Sequence, residues 1–321
     1  MNRLNLSLIL LIVIAFAASL LAGRIWLPPS ALLSPHDSLA GLIIFDVRLP
    51  RTVLALIVGA VLGLSGAVLQ GFTRNPLAEP ALLGVSSGAA LGAIIAIYFG
   101  LAALSPITGP LMGMLGALAA CALTFALGRN GTVALVLAGA AVSSLTAAGI
   151  ALALNFAPSP YAAYEIMSWL LGSLADKSWT QVVLVAPFAL IGAVLLAMTG
   201  RALDALSLGE AQAQSLGVNL TRVAALVVAG TAFSVGAITS VTGAIGFIGL
   251  VAPHVVRPFV GYAPRRVLLP ATLAGALLLL CADIAARLVH TNPELRLGVF
   301  TSLLGTPFFF WLVMRIRKVA P

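Results

Sequence analysis

The sequence predicts an all-α, polytopic membrane protein with about ten transmembrane helices. Three observations carry that prediction. Of 321 residues, 61% are hydrophobic and 8% are charged, with a mean hydropathy of +1.14. A soluble domain carries about a quarter charged residues and needs them to coat its surface. Ten apolar stretches approach the roughly 20 residues that a helix needs to cross hydrocarbon. The cations behind the net charge of +8 are scattered singly between those stretches, as topology-setting loop charges are. A nucleic-acid binder gathers them into a stripe, so no nucleic-acid partner is expected.

The stretches are 6–23, 53–72, 81–101, 109–128, 132–154, 180–199, 223–242, 244–260, 266–282 and 297–314, in one transmembrane domain over 1–321. The first follows Arg3 as a secretory leader would. It is long for a leader and lacks a small-x-small site before Arg24, so it reads as an uncleaved span. No charge divides 223–242 from 244–260; the division rests on the Gly-rich segment Thr242–Gly249, and nine spans is the alternative count. Loop charge favours ten. With a cytoplasmic N-terminus, eleven cations fall inside: Arg3, Arg74, Arg129, Arg201, Arg222, Arg257, Arg265, Arg266, Arg315, Arg317 and Lys318. Six fall outside: Arg24, Arg48, Arg51, Lys177, Arg287 and Arg296. The cluster Arg315, Arg317 and Lys318 places the C-terminus inside as well, and two inside termini require an even count.

Glycines recur at helix-packing spacing, Gly59 with Gly63, Gly88 with Gly92 and Gly109 with Gly113, which implies a tightly packed bundle. There is an internal echo. Gly/Pro-broken segments follow a small-residue helix twice, at Gly71–Pro80 and at Gly243–His254. Spans 2–5 and 7–10 then run in opposite senses, the pattern of two inverted repeats.

Enzyme chemistry finds little support. His36, His254 and His290 lack ligand spacing, and the nine acidic residues fall almost entirely at span ends or in loops. Asp283 lies deepest, four residues before Arg287, and reads as half of an i,i+4 ion pair rather than a catalytic acid. Cys121 and Cys281 sit in apolar runs and read as packing residues rather than a redox pair. Without an acidic relay, ion coupling has no evident basis. Without a P-loop, the chain cannot bind ATP by itself, so an ATP-driven mechanism needs a partner. The hydrophilic stretch 200–222, with small residues Ala211, Ala213 and Ser215, suits docking into a groove; an ordinary amphipathic linker is the alternative.

An ordered set of motifs resembles the iron-chelate and vitamin B12 uptake permeases of ABC importers, over roughly residues 40 to 315. It comprises Arg48-Leu-Pro-Arg51, Ser65-Gly-Ala-Val-Leu-Gln70, Asn75-Pro-Leu-Ala-Glu-Pro80, Leu83-Gly-Val-Ser-Ser-Gly88, and Met167-Ser-Trp-Leu-Leu-Gly-Ser173. Later come Leu208-Gly-Glu-Ala211 with Ser215-Leu-Gly217, Gly246-Phe-Ile-Gly-Leu-Val-Ala-Pro-His254 and Gly305-Thr-Pro-Phe-Phe309.

The resemblance implies a permease of the bacterial inner membrane that forms a homodimer. It docks two cytoplasmic ATP-binding subunits and receives a periplasmic substrate-binding protein. ATP and Mg would be held by the partner subunit, with no cofactor on this chain. Leu208, Gly209, Glu210, Ala211, Ser215 and Gly217, within 200–222, match the family's coupling helices. Arg48, Arg51 and Arg287 match arginines that face outward to the binding protein. Snorkelling to lipid phosphates is the other reading of Arg48 and Arg51. The pathway would involve Ser143 and Ser144 on the fifth span, with Thr132 and Val133 at the inner gate. One departure is Arg296, where the family usually has proline. On family breadth the cargo is expected to be a ferric siderophore, with haem and cobalamin as alternatives. A stand-alone carrier would instead follow an ion gradient and ignore ATP, and an intramembrane enzyme would need clustered acid, base or metal ligands.

Overall fold

The computed structural model describes residues 3–23, 25–33, 38–129, 131–289, 291 and 294–319; beyond residue 310 only the side chain of Met314 is included. Arg24, His36 and His290, and the side chains of Arg315, Arg317 and Lys318, lie outside the described set.

Helices α1 (Arg3–Leu21), α2 (Leu39–Thr73), α3 (Val85–Tyr98), α4 (Thr108–Leu127) and α5 (Thr132–Asn155) form the first part of the chain. They are followed by α6 (Pro160–Leu170), α7 (Trp179–Ala197), α8 (Gly200–Leu206) and α9 (Glu210–Ser215). The last four are α10 (Leu220–Thr242), α11 (Ile248–Val260), α12 (Pro264–Leu288) and α13 (Leu297–Val319). Seven of these, α1, α2, α4, α5, α7, α10 and α12, are long and apolar enough to cross a bilayer. The apolar helices α3, α11 and the first part of α13 are shorter. Together they coincide with the ten predicted stretches.

Local chemistry explains the irregular places. Pro50 lacks an N–H and would break a regular helix. The preceding turn, Ile43–Arg48, is π-helical, so that the Leu49 N–H reaches back to Ile44 O and the axis continues. Helices α3 and α11 begin late, after the two Gly/Pro-broken segments. Their 14 and 13 residues start inside the bundle rather than at its rim.

The helices pair as an inverted repeat requires. Helix α2 packs on α12 as α10 packs on α4, and α3 lies along α4 as α11 lies along α12. Exchanging α2–α5 for α10–α13 maps one set of contacts onto the other. Four crossings lie between α2 and α10, so the two run in opposite senses. Small residues set the closest crossings. A Cβ added at Gly59 or Gly63 would lie 2.4 or 2.1 Å from the carbonyl oxygens of Gly275 and Ala271. Gly88 and Gly92 meet Gly116 and Met112 on α4 in the same way. Gly113 packs on Ser240, but its predicted companion Gly109 faces open space, and Gly116 takes that role. Helices α2, α10 and α12 form the centre of the core, while α1, α5 and α7 turn long apolar faces outward.

Candidate functional site

Three regions bear on function: the broken helices at mid-bundle, an arginine cluster at one end, and helix α9 at the other.

The broken segments 74–84 and 243–247 face each other. Gly66 on α2 touches Gly249 so closely that an added Cβ would sit 1.9 Å from the Gly249 carbonyl oxygen. Gln70 Nε2 donates to Leu250 O at 3.3 Å, and Arg257 Nη2 donates to Gln70 Oε1 at 2.7 Å. The Glu79 carboxylate accepts the backbone N–H of Phe247, a residue held at φ +67° as α11 begins. The Thr242 carbonyl at the second break finds a partner on the neighbouring loop, which is also bonded by the start of α13. Ser173 N donates to Thr242 O at 2.7 Å, and Gly298 N donates to Gly172 O at 3.2 Å. Non-helical backbone at this depth is tolerated only when so satisfied.

At the arginine end, Asp283 is fully buried and binds two cations: Arg51 Nη2 at 2.8 Å and Arg287 Nε at 3.1 Å. Arg51 also pairs with Glu294. Arg287 Nη1 donates to the carbonyls of Ser19 and Ala22 at 2.9 and 3.2 Å, and Nη2 donates to the Ser19 hydroxyl. That hydroxyl lies 2.8 Å from Thr52 Oγ1, whose own proton goes to Arg48 O. Arg48 donates to the carbonyls of Leu20, Leu21 and Ile25 at 3.1, 2.7 and 2.7 Å. The three predicted arginines are thus gathered at one end, with Asp283 paired to Arg287 as its spacing implied. Yet Arg51 and Arg287 do not face outward. Asp283 and the open carbonyls ending α1 draw them in, and Arg287 is 6% exposed. Arg48 is partly exposed. Arg296 donates to Ser168 Oγ on α6. Nearby Lys177 is pulled below its ordinary pKa by burial, with Asp176 opposing and Arg296 adding to the shift.

At the other end, α9 is bracketed by Gly209 at φ +113° and Gly217 at φ +84°, backbone values that L side chains rarely adopt. Those turns explain both glycines of the motif. Ala213 is fully buried, whereas Ala211 and Ser215 face outward, flanked by Leu208 and Leu216 at 63% and 66% exposure. Glu210 lies 3.7 Å from Arg74, the left-handed residue ending α2, so α9 is tied to the start of the first broken segment. A cavity of about 310 Å³ beside α9 is lined by Glu210, Gln214, Arg129 and Thr132. Predicted coupling and gate residues therefore share one cavity. Val133 points away, 73% exposed. Ser143 lies by Gly84 of the first broken segment, while Ser144 sits on the exposed face of α5 with Leu137 and Leu145. A second cavity, about 670 Å³, opens along α13 and the second broken segment, lined by Leu171, Ala244, Gly246, Ser302 and Thr306 among others.

Sequence reasoning missed α6, which begins at the cap Ser159 and its following proline and carries Ser168. It also missed Arg51–Asp283 and Glu79–Phe247, contacts between residues far apart in the chain.

The model of the FecCD transport family matches residues 10–315. The chain belongs to this family. It is 41% identical over 320 residues to the vitamin B12 import system permease protein BtuC of Salmonella typhimurium, covering 98% of this chain and 96% of that one. The Klebsiella pneumoniae protein of the same name is 41% identical over 323 residues, covering 98% and 95%. Among solved structures, an inward-facing putative metal-chelate type ABC transporter superposes with a TM-score of 0.86 at 33% identity, covering 97% and 98% of the two chains. This FecCD-family chain is therefore an ABC importer permease subunit and a multi-pass membrane protein. It is a transport subunit and not an enzyme, and ATP hydrolysis lies in a separate partner.

Proposed function

We propose that this permease imports a corrinoid of the vitamin B12 class, driven by ATPase subunits that press on α9. The carrying observation is the 41% identity, over 98% of the chain, to permeases named for vitamin B12 import. Sequence reading placed a ferric siderophore first, on family breadth; the relatives move the proposal to a corrinoid. An iron chelate is the second reading, favoured by the 33% identity to a metal-chelate type transporter.

The α9 end is cytoplasmic, in keeping with the cation bias and both termini inside. Two copies pair through the outward faces of α5 and α13, so that Ser144 and the cavity along α13 border a shared pathway. Two ATP-binding subunits, holding ATP and Mg, receive Leu208, Ala211, Ser215 and Leu216, which have no apolar cover in the single chain. Glu210 and Thr132 carry their closure to the inner gate. At the periplasmic end a substrate-binding protein docks over Arg48, with Arg51 and Arg287 fixing the surface from beneath.

The test is complementation. Cells lacking their own corrinoid permease, and supplied with this chain and its ATPase and binding protein, are expected to take up labelled cyanocobalamin. Uptake of ferric siderophore alone would overturn the corrinoid reading. Leu208→Asp with Leu216→Asp is expected to weaken ATPase retention about thirtyfold, the scale of losing buried anchors at an interface. Unchanged ATPase co-purification would remove α9 from the docking face.

A further inference from the structure

We propose that the junction of α1, α11 and α12 at the α9 end is a binding site for the headgroup of an anionic phospholipid. A cavity of about 580 Å³ opens there, lined by Asn5, Phe259, Arg265, Arg266, Leu269 and their neighbours. It lies apart from α9, the broken helices and the arginine end, and the transport reading makes no use of it.

Its chemistry is that of a phosphate ester with acyl chains. Arg265 and Arg266 both line it, and among the described residues no carboxylate comes within ion-pair distance of either guanidinium. The Asp204 carboxylate serves the backbone instead: its Oδ1 accepts the N–H of Arg265 at 2.9 Å. From α1, Asn5 presents a buried Oδ1 that has no hydrogen-bond partner. Turned about its terminal bond, the same carboxamide offers an N–H₂ to an anion. Beside these polar groups Phe259 and Leu269 are 68% and 56% exposed, an apolar flank for acyl chains. Two unpaired cations, one unpaired amide and an adjoining apolar wall match a lipid better than a free anion. A basic pocket between helix ends is the recurrent form of anionic headgroup sites.

The test uses the full-length protein in nanodiscs or mild detergent. Native mass spectrometry compares retention of phosphatidylglycerol with that of phosphatidylcholine. Each basic residue near a charged headgroup contributes about 1 kcal/mol, so wild type should prefer phosphatidylglycerol by about thirtyfold. Arg265→Gln with Arg266→Gln should bring the preference to near unity. Arg265→Lys with Arg266→Lys, which keeps the charge, should retain most of it and shows that the fold survives substitution. Arg129→Gln with Arg222→Gln removes two cations from the same end and should leave the preference intact. Equal retention of both lipids by wild type, or an undiminished preference in the double glutamine variant, would overturn the site. Displacement of phosphatidylglycerol by millimolar inorganic phosphate would also overturn it, marking a free-phosphate site instead.

Discussion

Asp283→Ala is expected to cost about 3–5 kcal/mol of folding stability, the usual loss when one partner of a buried ion pair is removed. The carboxylate is fully buried and neutralises two guanidiniums, at 2.8 Å from Arg51 and 3.1 Å from Arg287. Without it, Arg287 retains carbonyls and a hydroxyl but no counter-charge, and only Glu294 remains for Arg51. Asp283→Asn keeps the shape and one acceptor and should lose less. Denaturant unfolding in a mild detergent would measure both. A loss below about 1 kcal/mol for the alanine variant, the level of an exposed pair, would mean that solvent already screens the cluster.

The second large effect is expected at Gly66. Any Cβ there would lie 1.9 Å from the carbonyl oxygen of Gly249, which is backbone and cannot rotate away. Gly66→Val must push α2 and α11 apart at the point where both broken segments meet. The cost exceeds about 4 kcal/mol, beyond the ordinary range for single substitutions. Size-exclusion chromatography and protease resistance in detergent should show little or no folded protein. Gly109→Ala provides the contrast, since a Cβ there meets open space. A well-folded Gly66→Val protein would show that the crossing relaxes more readily than its geometry implies.

Much of this architecture was legible because lipid imposes a simple code. Apolar runs of span length, interrupted by single cations, gave ten spans, and ten apolar helices occupy those places. The coupling segment was legible for a similar reason: Gly209 and Gly217 punctuate a polar stretch between two long apolar helices. The arginine end was only half legible. Asp283 and Arg287 share a helix four residues apart, so their pairing follows from helical geometry. Arg51 reaches the same carboxylate from 232 residues away, and nothing local announces that. The outward direction expected for Arg51 and Arg287 failed on the same account. A buried acid and uncapped helix carbonyls compete for guanidinium groups, and neither shows in a local motif. Helix α6 escaped notice because its 11 residues are too short for a span and mix Tyr161, Tyr164 and Glu165 with apolar neighbours. Gly109 was overcalled because glycine spacing does not reveal which face of a helix meets a partner.

The bonds closing the end of α1 also set a timetable. The carbonyls of Ser19 and Ala22 wait for Arg287, and the Ser19 hydroxyl waits for a residue 268 positions later in the chain. At the usual 5–20 residues per second of synthesis, that interval is roughly 13 to 54 seconds. Arg48 arrives early and can hold Leu20 and Leu21 in the meantime. Helix α1 is made well before α12 and is therefore locked in place late. A chain that stalls before α12 leaves α1 without the bonds that Arg287 supplies.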